Sequence, residues 1–143
     1  MKAAIVERDA LGGICLNWGC IPSKALLRNA EVTSLIQHSE EYGITVQGVK
    51  ADFSRAIDRS RRVVDRLTRG VATLLRRNGV EHISGSGSLT NANTVLVKGA
   101  EGDRAVTTDK VIIATGARQR HIPPASPIRR QTVIIQRIVS GRS

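Results

Sequence analysis

The spacing of apolar residues predicts a mixed α/β chain that begins with a short strand. KAAIVE, residues 2–7, is an apolar run that ends in an acid and predicts a buried strand. A glycine-containing turn follows, and from residue 23 to residue 41 the apolar positions recur with helical spacing. The first third of the chain therefore predicts a strand, a turn and a helix.

The strongest helical pattern covers residues 53–77. Apolar or small residues recur there at alternating spacings of four and three: Phe53, Ile57, Ser60, Val64, Leu67, Val71 and Leu74. Such a narrow seam predicts a long antiparallel helical pair, and the following Asn78-Gly79 is typical of a helix end.

Further on, β-branched runs broken by Gly and Asn predict a small β-meander over residues 80–108. The apolar run of VIIATG, residues 111–116, predicts a second strand over residues 110–115, in a partial parallel sheet with residues 2–7.

The chain is strongly basic, with 22 Lys+Arg against 12 Asp+Glu and a formal charge of +10. This balance favours an anionic partner without choosing among nucleic acid, membrane surface and phosphate-bearing cofactor. Arginines crowd the 53–77 helix, which suggests either a basic recognition helix or a solvated outer face. We favour the solvated face, since Asp58 and Asp65 interrupt the charge and can pair along the helix. Only one Trp, one Tyr and one Phe are available for base stacking, so we expect no nucleic acid partner.

No apolar run approaches membrane-spanning length, and the N-terminus lacks the apolar core of a signal peptide. We expect no membrane association and a cytoplasmic location.

Both cysteines of the chain lie in GGICLNWGCIPSKALL, residues 12–27. Two cysteines are too few for a secreted disulfide scaffold, so a close pair indicates catalysis, redox chemistry or metal binding. A zinc site usually needs four ligands, and His38, His82 and His121 are scattered, so we expect no metal.

The residues around the cysteine pair favour a reactive thiolate. Cys20 precedes Pro22, which suits a first helical turn, and Lys24 follows one helical turn after Cys20. A helix N-terminus and a lysine both lower a thiol pKa. A bridge closing so short a ring stabilises by only about 2 kcal/mol, which favours a reversible disulfide over a structural staple. The alternative is two core cysteines that lie close by chance.

The segment CLNWGCIPSK, residues 15–24, resembles the redox-active disulfide signature of the FAD-dependent pyridine-nucleotide disulfide oxidoreductases. It is most similar to the dihydrolipoamide dehydrogenase branch. Glutathione and mercuric reductases share the CxxxxC frame but usually have valine where Leu16 and Ile21 stand, and they are the alternative within the family. The resemblance extends over residues 2–123 and includes VIIATGAR, which resembles a flavin-contact motif.

The resemblance implies a role for each matching residue. Cys15 would exchange with the substrate disulfide, Cys20 would face the flavin as the charge-transfer thiolate, and Lys24 would stabilise the reduced flavin. Glu7 ends the predicted strand, where an acid in a dinucleotide fold bonds a ribose. The implied FAD contacts are Glu7, Arg8, Gly12, Gly13, Ile14, Cys15, Lys24, Gly87, Thr115, Gly116 and Ala117.

The activity implied by the resemblance is oxidation of a protein-bound dihydrolipoyl group, with electrons passing through the disulfide and FAD to NAD+. The implied partners are the lipoyl domain of a 2-oxo acid dehydrogenase complex and a second copy of the enzyme. A basic nucleic-acid-binding or non-catalytic interaction fragment is the alternative of another class.

The expected domain organisation is incomplete relative to the family. A glycine-rich phosphate loop about 20 residues before Glu7 would precede Met1. GSGSLT, residues 85–90, leads into a strand pattern rather than a helix, so it is not that loop. We expect a partial FAD-binding Rossmann-like domain over residues 1–124 and a tail outside the family over residues 125–143. With no NAD-binding or dimerisation domain, the chain alone is expected to be inactive.

Overall fold

The computed structural model describes residues 2–116, which divide into two compact units. The described part of the first unit is residues 2–13 and 68–116, and that of the second is residues 14–67. The elements, in chain order, are β1 (Ala3–Glu7), α1 (Gly13–Asn17), α2 (Cys20–Gln37), a 3-10 turn (Ser39–Tyr42), α3 (Phe53–Arg77), β2 (Val80–Ser84), β3 (Ser86–Asn91), β4 (Thr94–Gly99) and β5 (Gly102–Thr107). The mixed α/β prediction is confirmed.

A two-stranded parallel sheet of β1 and β2 positions the acid at the end of β1. The register places Ala3 opposite Val80 and Glu7 opposite Ser84. Beyond the last pair, the Gly85 N–H donates to the Glu7 carbonyl at 3.0 Å. Glu7 thus stands at the carboxyl end of a parallel pair, which is where dinucleotide folds place their ligands.

The predicted β-meander is present as β3, β4 and β5, paired antiparallel in chain order. It is shorter than the predicted range of residues 80–108, because residues 80–84 form β2 and pair with β1 instead. Val97 on β4 is almost fully buried and anchors the interior of this sheet. The chain enters the meander through a tight approach, because a Cβ built on Gly85 would lie 2.6 Å from the Lys98 carbonyl oxygen. GSGSLT therefore forms the entry to a strand, as its pattern predicted.

The strand predicted over residues 110–115 is absent, and this part of the prediction is wrong. Residues 109–116 belong to no strand, and β1 pairs with β2 instead. Ile112 and Ile113 are 90% and 71% exposed. An apolar β-branched run becomes a strand only where a ladder partner is available, and none of the described residues supplies one.

The second unit contains α1, α2 and the first part of α3, and α2 and α3 form the predicted helical pair. Arg59 Nη1 donates to the Ala25 carbonyl at 3.0 Å and to Asn29 Oδ1 at 3.1 Å. Two residues further along α3, Arg61 Nη1 donates to the carbonyl of Asn17, the last residue of α1.

The predicted seam of α3 is only partly buried. Within the second unit the buried positions are Ala56, Ser60 and Val64, at a spacing of four, while Phe53 is 60% exposed. Small residues replace bulky ones at two of these three positions, and small side chains let helix backbones approach closely. The buried line is therefore shorter than the predicted seam: it shares Ser60 and Val64 with it, and Ala56 is buried in place of Ile57.

Candidate functional site

The two cysteines form a disulfide at the junction of two helices. Cys15 lies in α1, Cys20 is the first residue of α2, and their Cα atoms are 4.7 Å apart. Both residues are exposed. A disulfide that faces solvent is accessible to thiolate attack, so the arrangement is suited to thiol–disulfide exchange.

Gly19 allows the ring between the cysteines to close. It caps α2 with φ −120° and ψ −107°, and a Cβ there would lie 3.1 Å from both the Cys15 Cα and the Ile14 carbonyl oxygen. The Gly19 carbonyl accepts from the Ser23 hydroxyl at 2.8 Å and from the Ser23 N–H at 3.2 Å. A side chain at this position would push directly on the cysteine backbone.

The start of α2 provides an electrostatic setting that favours negative charge on sulfur. The unpaired N–H groups of a helix N-terminus carry partial positive charge, and Cys20 occupies that end. Lys24 lies one turn further along α2 and is exposed, as the sequence predicted. Pro22 is buried in the first turn, where its missing N–H is not needed.

Arg61 is a site residue that the sequence pattern did not single out. Its Nη1 donates to the carbonyl of Asn17 at 3.2 Å. Asn17 is only 5% exposed and lies within the ring closed by the two cysteines. The sequence did contain a sign of this position, because Arg61 follows Ile57 by one helical turn and adjoins Ser60. Ile57 and Ser60 both belong to the predicted seam of α3.

The first unit contains four of the predicted cofactor contacts near the end of β1. Glu7 is half-buried, and its Oε1 accepts from the Asp9 N–H at 2.8 Å. Gly12 and Gly13 have φ of 99° and 67°, in the left-handed region, and a Cβ on Gly13 would meet nothing within 4 Å. Arg8 is exposed.

The structure says less about cofactor binding at the remaining predicted cofactor contacts. A Cβ on Gly87 would lie 3.2 Å from Val6 Cγ1 and 3.3 Å from Val95 Cγ1, so packing alone explains this glycine. Thr115 and Gly116 are exposed and outside any strand. Ala117 and His121 lie outside the described residues, as does the tail over 125–143.

The residues present fit the groups of FAD on chemical grounds. A half-buried carboxylate accepts hydrogen bonds from ribose hydroxyls, and a glycine at position 13 has no side chain that would keep a ligand from the backbone. Glu7, Arg8, Gly12, Gly13, Gly87, Thr115 and Gly116 belong to the first unit, and Ile14, Cys15, Cys20 and Lys24 to the second. Their roles toward a cofactor stay predictions.

The outer face of α3 carries exposed arginines at alternating spacings of four and three: Arg55, Arg59, Arg62, Arg66 and Arg69. Arg55 pairs with Asp52 at 3.6 Å. Asp58, expected to neutralise this face, forms no ion pair with any described residue. The face is therefore solvated but less internally paired than the sequence suggested.

Two further observations bear on function class. Among residues 2–116, no three His, Cys, Asp or Glu side chains cluster as a metal site. In the same residues no helix has the length and apolar character needed to cross a bilayer.

The sequence and the disulfide together place the chain in a known class. It belongs to the pyridine nucleotide-disulphide oxidoreductase family, whose family model matches residues 1–139.

Within that family the chain is similar to dihydrolipoyl dehydrogenases. It is 53% identical over 124 residues to that of Zymomonas mobilis, covering 86% of this chain and 27% of the relative. It is 41% identical over 143 residues to that of Rhizobium etli, covering 89% of this chain and 30% of the relative. The chain thus spans less than a third of the length of these relatives.

A solved structure shows the same fold. The crystal structure of LpdA from Mycobacterium tuberculosis matches with a TM-score of 0.77 and 21% sequence identity. The match covers 87% of this chain and 28% of LpdA.

Proposed function

We propose that this chain carries the redox disulfide of a dihydrolipoyl dehydrogenase, and that its own reaction is exchange between a dihydrolipoyl dithiol and Cys15–Cys20. The exposed disulfide at the start of α2 carries the proposal. Relatives of that name, at 41% to 53% identity, support the choice of substrate over glutathione disulfide or mercuric ion.

The exchange is balanced without a further reactant. One substrate thiolate attacks Cys15 Sγ, the Cys15–Cys20 bond breaks, and Cys20 leaves as a thiolate at the helix N-terminus. The second substrate sulfur then attacks the mixed disulfide and releases Cys15. The substrate dithiol becomes a disulfide. Its two electrons pass to the protein sulfurs, and its protons pass to a protein sulfur and to solvent.

Glu7, Gly12 and Gly13 are the residues that would hold FAD, and Lys24 would stabilise negative charge on the reduced flavin. When bound, FAD would supply a two-electron acceptor for the reduced cysteines.

For the whole enzyme we further propose NAD+ as final acceptor, a lipoyl domain and a second copy as partners, and a cytoplasmic location. Because the chain covers only 27% to 30% of its relatives, we assign it the exchange half-reaction and not full turnover.

Stoichiometric exchange with dihydrolipoamide tests the proposal. The oxidised chain is incubated anaerobically with the reductant, trapped by alkylation and weighed by mass spectrometry. We expect two alkylated cysteines in the native chain. The single-cysteine variants have no disulfide to reduce, so they are incubated with oxidised lipoamide, whose own disulfide a protein thiolate can open. After alkylation Cys20→Ser should be trapped as a mixed disulfide between Cys15 and lipoamide, whereas Cys15→Ser should be trapped far less.

One result would contradict the proposed function. If dihydrolipoamide leaves the native disulfide intact while a phosphine opens it, the disulfide is structural and the assignment fails.

The cofactor proposal has its own test. FAD is titrated into the chain and binding is followed by flavin fluorescence. Glu7→Gln should raise the Kd about tenfold, since a charge-assisted hydrogen bond is lost. Glu41→Gln is the matched control, because Glu41 is exposed and lies in the 3-10 turn. Equal Kd values for Glu7→Gln and the native chain would remove Glu7 from the cofactor contacts.

A further inference from the structure

Arg61 extends from α3 to the segment between the two redox cysteines. Its Nη1 donates to the Asn17 carbonyl at 3.2 Å. Asn17 lies two residues after Cys15 and three before Cys20, inside a ring whose ends are 4.7 Å apart at Cα. The guanidinium is therefore hydrogen-bonded to the backbone inside the ring that the two cysteines close.

The rest of the Arg61 guanidinium is buried without a hydrogen-bond partner. Nε and Nη2 are both shielded from solvent, and no described residue accepts from either. Desolvation by burial lowers the pKa of Arg61, and the charge of Asp65, one turn further along α3, opposes that change. An arginine remains charged even so, which leaves a buried cation with unused donors.

A buried charge without a partner is costly, and a nearby negative charge relieves the cost. The oxidised ring offers Arg61 only a neutral carbonyl. Reduction creates a thiolate in the same ring, so the interaction of Arg61 with the ring is stronger in the reduced state than in the disulfide state.

We propose that Arg61 is a positioning residue of the redox centre: anchored at the Asn17 carbonyl, its positive charge favours the reduced, thiolate form of the Cys15–Cys20 pair. The inference rests on the proposed function only in treating this pair as redox-active. In reduction by a dithiol, the Cys15–Cys20 bond breaks, the donor forms its own disulfide, and two electrons pass to the protein. One protein sulfur keeps a proton and the other gives its proton to solvent.

Arg61 acts on the dithiol–disulfide equilibrium through its positive charge and not by holding the two cysteines together. The cysteines are five positions apart, so the backbone keeps the sulfurs near each other without Arg61. The other charged groups to consider are Asp65 on α3 and Lys24 on α2, and both are exposed. Arg62, also exposed and without an ion pair among the described residues, is the matched control on the same helix.

The experiment measures the dithiol–disulfide equilibrium of the full chain in glutathione buffers, with alkylation and mass spectrometry as the readout. Arg61→Met should lower the equilibrium constant for reduction about tenfold, equivalent to a potential about 30 mV more negative. Arg61→Lys keeps the charge and should recover most of that loss. Arg62→Met should stay within about twofold of the native chain, since its charge is screened by solvent.

Each outcome decides one claim. Arg61→Met with the native equilibrium constant, or with a pair that is easier to reduce, overturns the inference. Equal losses in Arg61→Met and Arg61→Lys also overturn it, because they show a role in packing rather than charge. If the native pair exchanges with neither glutathione nor dihydrolipoamide, the proposed function fails instead.

Discussion

Gly19→Ala perturbs the redox ring at a point where the backbone has no room for a side chain. The added Cβ would lie 3.1 Å from the Cys15 Cα and 3.1 Å from the Ile14 carbonyl oxygen. Both are backbone atoms of the preceding helix, so neither can swing aside as a flexible side chain would. Relief therefore requires α1 and the start of α2 to move apart.

The cost comes from overpacking. At 3.1 Å the added Cβ would be closer to the backbone of α1 than a side chain normally lies, so the neighbouring backbone has to shift. Overpacking against fixed atoms typically costs about 1–3 kcal/mol. We expect Gly19→Ala to lower the free energy of unfolding of the oxidised chain by about 1–3 kcal/mol.

Urea denaturation followed by circular dichroism measures this loss. With a slope of about 2 kcal/mol per molar urea, the midpoint should fall by about 0.5–1.5 M. The clash lies in the closed ring, so reduction should recover part of the difference between Gly19→Ala and the native chain. A midpoint within about 0.2 M of the native value, both oxidised, would refute the reasoning, since even the smallest expected cost lowers the midpoint by about 0.5 M.

Three further outcomes follow from other parts of the structure. Reduction of Cys15–Cys20 should lower the free energy of unfolding by about 2 kcal/mol, the chain entropy regained when the short ring opens; a loss under about 0.5 kcal/mol in paired urea titrations would contradict the loop-entropy argument. Gly70→Ala should raise the free energy of unfolding by about 0.5–1 kcal/mol in the same urea titrations. Gly70 lies inside α3, and a Cβ there meets nothing within 4 Å. A hydrogen bond from Arg104 at 2.6 Å, with its charge, lowers the pKa of Glu81 below the ordinary 4.5. Because the folded-state pKa is the lower one, the pair stabilises the fold above about pH 4.5, and the contribution is lost as the pH falls through the lowered pKa. Arg104→Gln should therefore flatten the fall in urea midpoint below pH 4.5, and an unchanged acid profile would count against the pair.

The sequence predicted those features that depend on local pattern. The helix over residues 53–77 has the predicted bounds, because its repeat is long and Asn78-Gly79 ends it. The disulfide followed from two cysteines beside a helix start. The meander followed from β-branched runs separated by turn residues.

What the sequence did not predict depends on partners distant along the chain. Residues 110–115 have a strand pattern, but a pattern reports the burial a segment prefers and not whether a neighbour is present to pair with it. Arg61 was one arginine among many on α3, and only its reach to Asn17, 44 positions away, distinguishes it from Arg62. The buried line shares Ser60 and Val64 with the predicted seam, and Ala56 is the one buried position that the repeat did not include.

The unpaired segment around Ile112 and Ile113 has a practical consequence for anyone who handles this chain. Its backbone N–H and C=O groups have no ladder within residues 2–116, and its two isoleucines are 90% and 71% exposed. Exposed segments of this composition pair with one another through their unpaired backbone groups, and every molecule in the sample carries the same segment. Concentrated samples should therefore cloud with time, and a lysine in place of Ile112 should keep them clear.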